Sequence, residues 1–433
     1  MENNKWKQKF FAIYTGQFFS LLSSAAVQFG IIWWLTDKTG GSPLLLTLAG
    51  LAGFLPQALV GPFAGTITDR YSRKFLMISA DMTVALGSLI LFLILHFYEA
   101  NIIFVILILG IFAGTRSSWV GPDYLMYQYL FATAVREPQK FFLENQNLEL
   151  SVYLIPNIIH FFFYSVDDCV KASFLAFAFI SVAIKINVLK QSEYFFLGLM
   201  VYLSNLYLIQ EMVTIRAGVA SALFLWSLKD LISRNNKLFF IKIGVAFLFH
   251  NSSILFVIIW FIFRYEIKIK LFLYGLIISI IIAFSELNIL RILFLDRIFP
   301  KVKIYLDILE NEGGEKINVF NFRIIFALFI TAVFLFSLKK LKENVFFMTL
   351  FKIHVFSLIL FFLLSPTAMV FSMRSFELIS VIQLFLYPLI LWAFNPKFRF
   401  VGFIILCVFC IFQFYYLIEL SEIFNPYESW LLK

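Results

Sequence analysis

Seven charged or ionisable side chains stand where an apolar sequence gives them no routine task. Arg216, Arg323 and Arg374 lie at the edges of long hydrophobic runs, and His250 interrupts one in Phe249-His250-Asn251-Ser252-Ser253. Glu377 follows Arg374 by three residues, which on a helix puts the two on one face. Arg116 and Asp123 flank a turn built on Gly121-Pro122. A charge inside or at the edge of a membrane span is costly unless partnered, and by default marks function. An arginine fork binds phosphate oxygens in bidentate fashion and keeps its charge. Positioned guanidinium groups also stabilise negative charge that develops on a departing group. A histidine whose pKa sits near neutrality can take a proton, with Glu377 and Asp123 as further candidates. Each residue has a plainer reading. Arg216 could snorkel to an interface, Arg374 could pair with Glu377, and His250 could cap a broken helix. Arg323 could touch lipid headgroups, Asp123 could serve the turn after Pro122, and Arg116 could be a boundary charge.

The setting for these residues comes from composition. Hydrophobic residues make up 61% of the 433, charged residues only 14%, and the mean hydropathy is +0.90. Soluble domains average about 45–50% apolar and about 25% charged. This excludes a soluble enzyme, a disordered chain and a nucleic-acid module. The net charge of +9 does not imply a nucleic-acid partner, because the basic residues sit between apolar segments. Cys169, Cys407 and Cys410 have no metal-ligand spacing, so neither a metal nor another cofactor is expected.

Hydropathy gives candidate membrane segments at 10–36, 44–67, 75–97, 102–115, 148–164, 170–189, 194–209, 212–232, 238–249, 253–263, 271–288, 320–338, 345–365, 374–394 and 400–419. They are expected to be helices, since lipid cannot satisfy an open sheet edge. The fold class is therefore all-α, a polytopic membrane protein of about 13–15 membrane helices, some short or broken. Lys5, Lys7 and Lys9, Arg70 to Lys74, Lys185 with Lys190, Arg234 with Lys237, Arg264 to Lys270, Lys339 to Lys342, and Lys397 with Arg399 then fall on one side, the cytoplasmic one. The outer side receives Asp167-Asp168, His250, the loop 289–319, residues 366–374 and the acidic C-terminal tail.

Nine of the 19 glycines fall in residues 1–97, so the chain has two unlike parts. The first carries Trp6 to Phe11, Gly16-Gln17, Trp33-Trp34-Leu35, Leu55-Pro56-Gln57, Gly61-Pro62 and the loop Gly65-Thr66-Ile67-Thr68-Asp69-Arg70-Tyr71-Ser72-Arg73-Lys74. Residues 1–97 thereby resemble the first three helices of a major facilitator superfamily drug-efflux transporter, of the macrolide-exporter type. Gly65, Asp69, Arg70, Arg73 and Lys74 hold its loop motif, with Ser72 where that family commonly has Gly. Such a transporter needs two six-helix halves, and no second half is visible. The second part carries Phe112 to Arg116, Gly121-Pro122-Asp123-Tyr124 with Tyr127, Thr214-Ile215-Arg216-Ala217-Gly218, Leu248 to Ser253, and Arg374-Ser375-Phe376-Glu377. In that order and spacing, residues 98–433 resemble the EpsG-type, Wzy-like polysaccharide polymerases, with Ala217 where that family often has Gln.

That resemblance implies polymerisation of undecaprenyl-diphosphate-linked oligosaccharide repeat units in capsular or exopolysaccharide synthesis. The reaction would be a metal-independent glycosyl transfer at the outer face of a bacterial cytoplasmic membrane. Arg216, Arg374, Arg323 and Arg116 would hold the diphosphate, and His250, Glu377 and Asp123 are the catalytic candidates. The expected partners are the lipid-linked oligosaccharide, membrane lipids, and polysaccharide chain-length or export machinery. The alternatives are an efflux transporter and a non-functional chimera of the two parts. One conflict remains internal to the sequence. If every segment crosses, residues 116–147 fall inside, whereas the resemblance puts Arg116 and Asp123 outside. A partial helix at 148–164 would move that loop out, provided that one of the first four segments also fails to span or that the transporter-like part inserts differently.

Overall fold

The computed structural model describes residues 101–144, 148–265, 267–294, 317–367 and 369–431, together with Phe11, Tyr14 to Gly16, Phe18, Leu22, Phe29, Arg297, Lys303, Leu306 and Asp307. The loop motif at Gly65, Asp69, Arg70, Arg73 and Lys74 lies outside the described residues, as does most of the loop 289–319. The chain divides into two compact units, Met1–Asn101 and Ile102–Lys433. In the first, Phe11, Tyr14 to Gly16, Phe18, Leu22 and Phe29 are helical.

The second unit is an all-α polytopic membrane bundle. Its helices are α1 (Asn101–Gly114), α2 (Tyr124–Arg136), α3 (Pro138–Glu144), α4 (Ser151–His160), α5 (Val166–Leu189), α6 (Phe195–Val201), α7 (Ile215–Ile232), α8 (Asn236–Phe249), α9 (Ile254–Arg264), α10 (Ile269–Phe284), α11 (Phe322–Phe336), α12 (Val345–Leu364), α13 (Met369–Ile379) and α14 (Arg399–Tyr415). Among the described residues four stretches are long and apolar enough to cross a membrane: Val166–Leu189, Val345–Leu364, Val370–Ala393 and Pro396–Leu420. Several shorter apolar helices pack among them. Among the described residues the single β-bridge joins Arg116 to Ser429.

Polar caps set the helix starts inside otherwise continuous apolar sequence. The side chains of Asn235, Asn321 and Asn344 accept from the backbone N–H groups of Leu238, Ile324 and Phe347, which satisfies donors that lipid could not. Phenylalanine then supplies much of the contact between helices. Phe224 of α7 stacks on Phe256 of α9 with centroids 4.1 Å apart, and Phe326 of α11 on Phe409 of α14 at 3.9 Å. Where α1 crosses α5 the backbones come closer. A Cβ at Gly110 would lie 2.5 Å from the Phe179 ring, and one at Gly114 2.7 Å from the Leu175 backbone, so only glycine fits.

The helix ends fall into two sets. The ends of α5 and α7, residues 385–392 beyond α13 and the α11–α12 turn meet around one cavity, lined by Gln191, Ile232, Lys340 and Trp392 among others. This is the basic side expected from the sequence. The opposite side gathers the start of α7, the end of α8 and the start of α13. It also holds residues 115–149, which therefore share a side with His250. Ser117 N–H donates to Glu428 O at 2.8 Å, and Trp430 N–H to Thr115 O at 3.0 Å. The C-terminal tail therefore clasps the loop, and Glu149 bonds to His250 at 3.2 Å. The physical reason is α4. With 10 residues it extends only about 15 Å, half the hydrocarbon thickness of about 30 Å, so 148–164 does not cross. One basic residue is also reassigned. Lys185 is no loop residue but lies fully buried within α5.

This arrangement predicts opposite accessibility for two exposed positions. With Cys169, Cys407 and Cys410 replaced by Ser, Ser118→Cys should react with a membrane-impermeant thiol reagent in intact cells. Gln191→Cys should react only after permeabilisation. Labelling of both from the same side would refute the two-faced assignment.

Candidate functional site

The site is assembled around a residue the sequence reading left out. Glu149 is 5% exposed and is held by three residues on two chain segments. Arg216 Nη1 donates to its Oε2. His250 Nδ1 lies 3.2 Å from Oε1, and Asn251 N–H donates to the same oxygen at 3.2 Å. Local geometry puts each donor in place. Thr214 leaves the helical region (φ −92°, ψ 54°), so α7 restarts at Ile215 and Arg216 sits in its first turn. His250 ends α8 in extended conformation (φ −155°, ψ 119°) before a 3₁₀ turn at Asn251–Ser253. From α2, Tyr127 Oη accepts from Arg216 Nε at 3.0 Å, and its ring lies 5.3 Å from the guanidinium carbon. Arg216 is thus no snorkelling residue, and the His250 side chain does more than end a helix. A ring nitrogen against a carboxylate oxygen carries the proton. That leaves Nε2, buried and without a hydrogen-bond partner, as the basic nitrogen.

Arg374 and Asp123 face this group without joining it. Arg374 is half-buried on α13 and forms no ion pair among the described residues. Its charge acts on both Asp123 and His250. Asp123 precedes α2 but makes no capping hydrogen bond with its side chain. Burial raises its pKa above the ordinary carboxylate value, against the opposing charges of Arg374, Arg216 and Arg116.

The remaining expected residues are placed differently. Glu377 does not pair with Arg374, its neighbour on the same helix. It pairs with Arg323 of α11, whose Nη1 lies 2.5 Å from its Oε1. Arg323 is itself buried, so headgroups do not reach it, and its Nε and Nη2 have no partner. Arg116 is fully buried, donates from Nη1 to Ala113 O at 2.6 Å and lies 4.9 Å from the Phe174 ring centroid. Its charge reaches Asp123, but the clasped tail and the aromatic rings enclose it. Among the described residues no three His, Cys or carboxylate side chains stand close enough to hold a metal ion.

A second polar group, also unforeseen, lies beneath the site. Lys185 Nζ donates to Glu211 Oε1 at 2.6 Å and to Gln210 Oε1 at 2.7 Å, and Tyr202 Oη donates to Glu211 Oε1 at 2.8 Å. All four side chains are buried. Gln210 Nε2 continues the chain to the Glu377 carbonyl at 3.0 Å, so the network reaches the helix that carries Arg374. The segment Tyr202–Val213 is wound as π-helix, which turns Gln210 and Glu211 toward α5. Gly218 lets α7 close on it, since a Cβ there would lie 2.3 Å from Gln210 O. The sequence signal for this group was a lone acid, Glu211, within an apolar run.

This pair generates a stability prediction. Lys185→Met leaves Glu211 buried without its counter-ion and should lower stability by about 3–5 kcal/mol, since removing one partner strands the other. The double variant K185M/E211L should recover most of that loss. Thermal unfolding of the detergent-purified protein measures both. A double variant no more stable than K185M would contradict the pairing.

Comparison with known proteins follows the division into two units. The EpsG family profile matches residues 100–429. Among curated proteins, the N-terminal region is similar to macrolide efflux protein A of Streptococcus pyogenes, 43% identical over 108 residues, which is 25% of this chain and 26% of that protein. It is also similar to macrolide efflux protein A of Enterococcus faecalis, 37% identical over 71 residues, or 16% of this chain and 22% of that protein. The chain thus spans about a quarter of the length of the curated relatives it matches. No solved structure matches.

Proposed function

The chain belongs to the EpsG family, and from that premise we propose that it joins oligosaccharide repeat units carried on a lipid diphosphate, of the undecaprenyl type, at the outer face of a bacterial cytoplasmic membrane. A polysaccharide-polymerase type of function accords with the family. The observation that carries the finer reading is Arg374, an arginine without an ion-pair partner beside a fully partnered cluster. Lys185, Arg216 and Arg323 are each neutralised by a carboxylate. Arg374 keeps its charge for a ligand, and its planar fork suits a diphosphate.

In this reading an acceptor sugar hydroxyl attacks the anomeric carbon of the donor repeat. The new carbon–oxygen bond forms as the bond from that carbon to the diphosphate oxygen breaks. The electron pair departs with the lipid diphosphate, where Arg374 stabilises it. His250 Nε2 takes the hydroxyl proton. Glu149 acts on His250 rather than on substrate: it fixes the tautomer, and its negative charge stabilises the imidazolium that results. Asp123 is the second candidate base, because nothing caps or pairs it. Glu377 is less suited, since Arg323 occupies its carboxylate.

Arg374→Ala should cut polymer synthesis on the order of 100-fold at unchanged protein level, a typical cost of removing one charge-stabilising donor. Arg374→Lys should recover part of it, because charge returns without the fork. The readout is polymer length and yield in cells producing each variant. Full-length polymer from the Ala variant would overturn the assignment.

One observation favours a second reading, the 43% identity to an efflux protein. It covers a quarter of that protein, so a complete export pathway is not expected from it. Cells producing the chain should accumulate a macrolide to the same level as cells lacking it, and lowered accumulation would favour efflux.

A further inference from the structure

The basic side of the bundle holds a cavity of about 1020 Å³ that the proposed reaction does not use. We propose that it binds a lipid with a net-anionic phosphate head, drawn from the leaflet on that side. The inference is independent of the reading of the Arg374 site.

The cavity is amphipathic along its depth. Leu225, Leu228 and Phe347 form an apolar floor and are each almost wholly buried. Lys229, Lys242 and Lys340 line the same cavity, with Glu193 as the carboxylate among its lining residues. The ammonium groups retain donors. Lys340 Nζ gives one hydrogen bond to Phe394 O at 2.7 Å and has two N–H groups left. Lys229 is exposed and has no ion-pair partner among the described residues. Lys242 is different: Asp230 neutralises it at 2.5 Å, and its ammonium lies 4.2 Å from the Trp226 ring centroid. Its role is to hold Trp226 at the mouth. Trp392, held by Tyr194 and covered by the Arg399 guanidinium at 3.9 Å, holds another part of the lining. Indole rings, buried apolar side chains and ammonium groups with donors to spare line one cavity, a combination that matches a lipid with an anionic head and an apolar tail. A free anion would leave the floor unfilled, and a zwitterionic lipid would leave Lys229 and Lys340 without counter-charge. The volume is at the upper end of ordinary small-molecule sites, about 300–1,000 Å³, which accommodates a head with part of a chain.

The test is lipid retention on the full-length protein purified in a neutral detergent and mixed with defined lipids. The probes are an anionic glycerophospholipid, a polyprenyl monophosphate and a zwitterionic phosphatidylcholine, read by native mass spectrometry. Retention of either or both phosphate-headed anionic lipids, at least 10-fold above phosphatidylcholine, supports the site and identifies the source of the head. The double variant K229E/K340E should lose that preference. Lys397→Glu, on the same side but outside the cavity lining, should keep it, and polyprenyl retention is compared with and without K229E/K340E in an Arg374→Ala background, so that the other site does not contribute. Three results would overturn the inference: equal retention of all three lipids, retention unchanged in K229E/K340E, or displacement by millimolar inorganic phosphate, which would point to a free anion. Circular dichroism of K229E/K340E checks that it is folded. Because both substituted residues are exposed or half-exposed, unaltered helicity is expected.

Discussion

A single buried carboxylate, Glu149, decides how the outward side of this bundle is built. Ionised carboxylate away from water is tolerated only where its oxygens are supplied with donors. Here the donors come from α7, from the end of α8 and from the turn after it. Meeting that requirement brings the loop between α1 and α4 to the side where His250 ends its helix, and so fixes which segments cross. It also fixes the chemistry of its partners. Arg216 is held by Glu149 and Tyr127 together, and His250 is held in one ring orientation with Nε2 turned away. Neither side chain is free to rearrange without stranding a buried charge.

The second polar network works on the same principle one layer deeper. Helices in lipid gain little from hydrophobic burial against one another, so close packing and hydrogen bonds hold them. Lys185, Glu211, Gln210 and Tyr202 link α5 to the π-wound segment, and Gln210 extends the link to α13 at Glu377. Arg323 then fastens the Glu377 side chain to α11. Arg374, three residues earlier on α13, is therefore carried on a helix tied at Glu377 to two neighbouring elements while its own charge stays uncompensated. A cation held rigidly without a counter-ion is the pre-organised state that an anionic ligand needs.

Much of this was legible in the sequence, and the failures have physical causes. Hydropathy located the apolar helices, and the misplaced charges Arg216, His250 and Arg374 do converge on one side. Glu149 was passed over because it sits beside Glu144 at the edge of a mixed-charge loop, where acids are ordinary. Its partners lie 67 and 101 residues away. Helical spacing put Arg374 and Glu377 on one face, but spacing cannot weigh a competing arginine on another helix, and Arg323 prevails. Lys185 looked topological because it stands four residues from the end of its helix. Charge counting has no means of seeing an acid 26 residues later that draws it inward. For Arg116, a diphosphate-binding candidate in the sequence, the strand-like contact that closes over it comes from Ser429, at the far end of the chain.

Helix length carries the argument one step further. His250 ends a helix of 14 residues that starts on the basic side, a rise of about 21 Å, against a hydrocarbon layer of about 30 Å. The returning helix α9 is shorter still, with 11 residues. A hairpin of that length is shorter than the layer is thick, which is the geometry of a site recessed from one surface. Ionic contacts in a recess are stronger than at the surface because little water screens them. A lipid-linked substrate is suited to such a recess, since its diphosphate remains attached to a tail that stays in the hydrocarbon. A free sugar nucleotide would have to shed its water to arrive there. A recess of this kind admits an anionic group carried on an apolar tail, which accords with the donor proposed for Arg374.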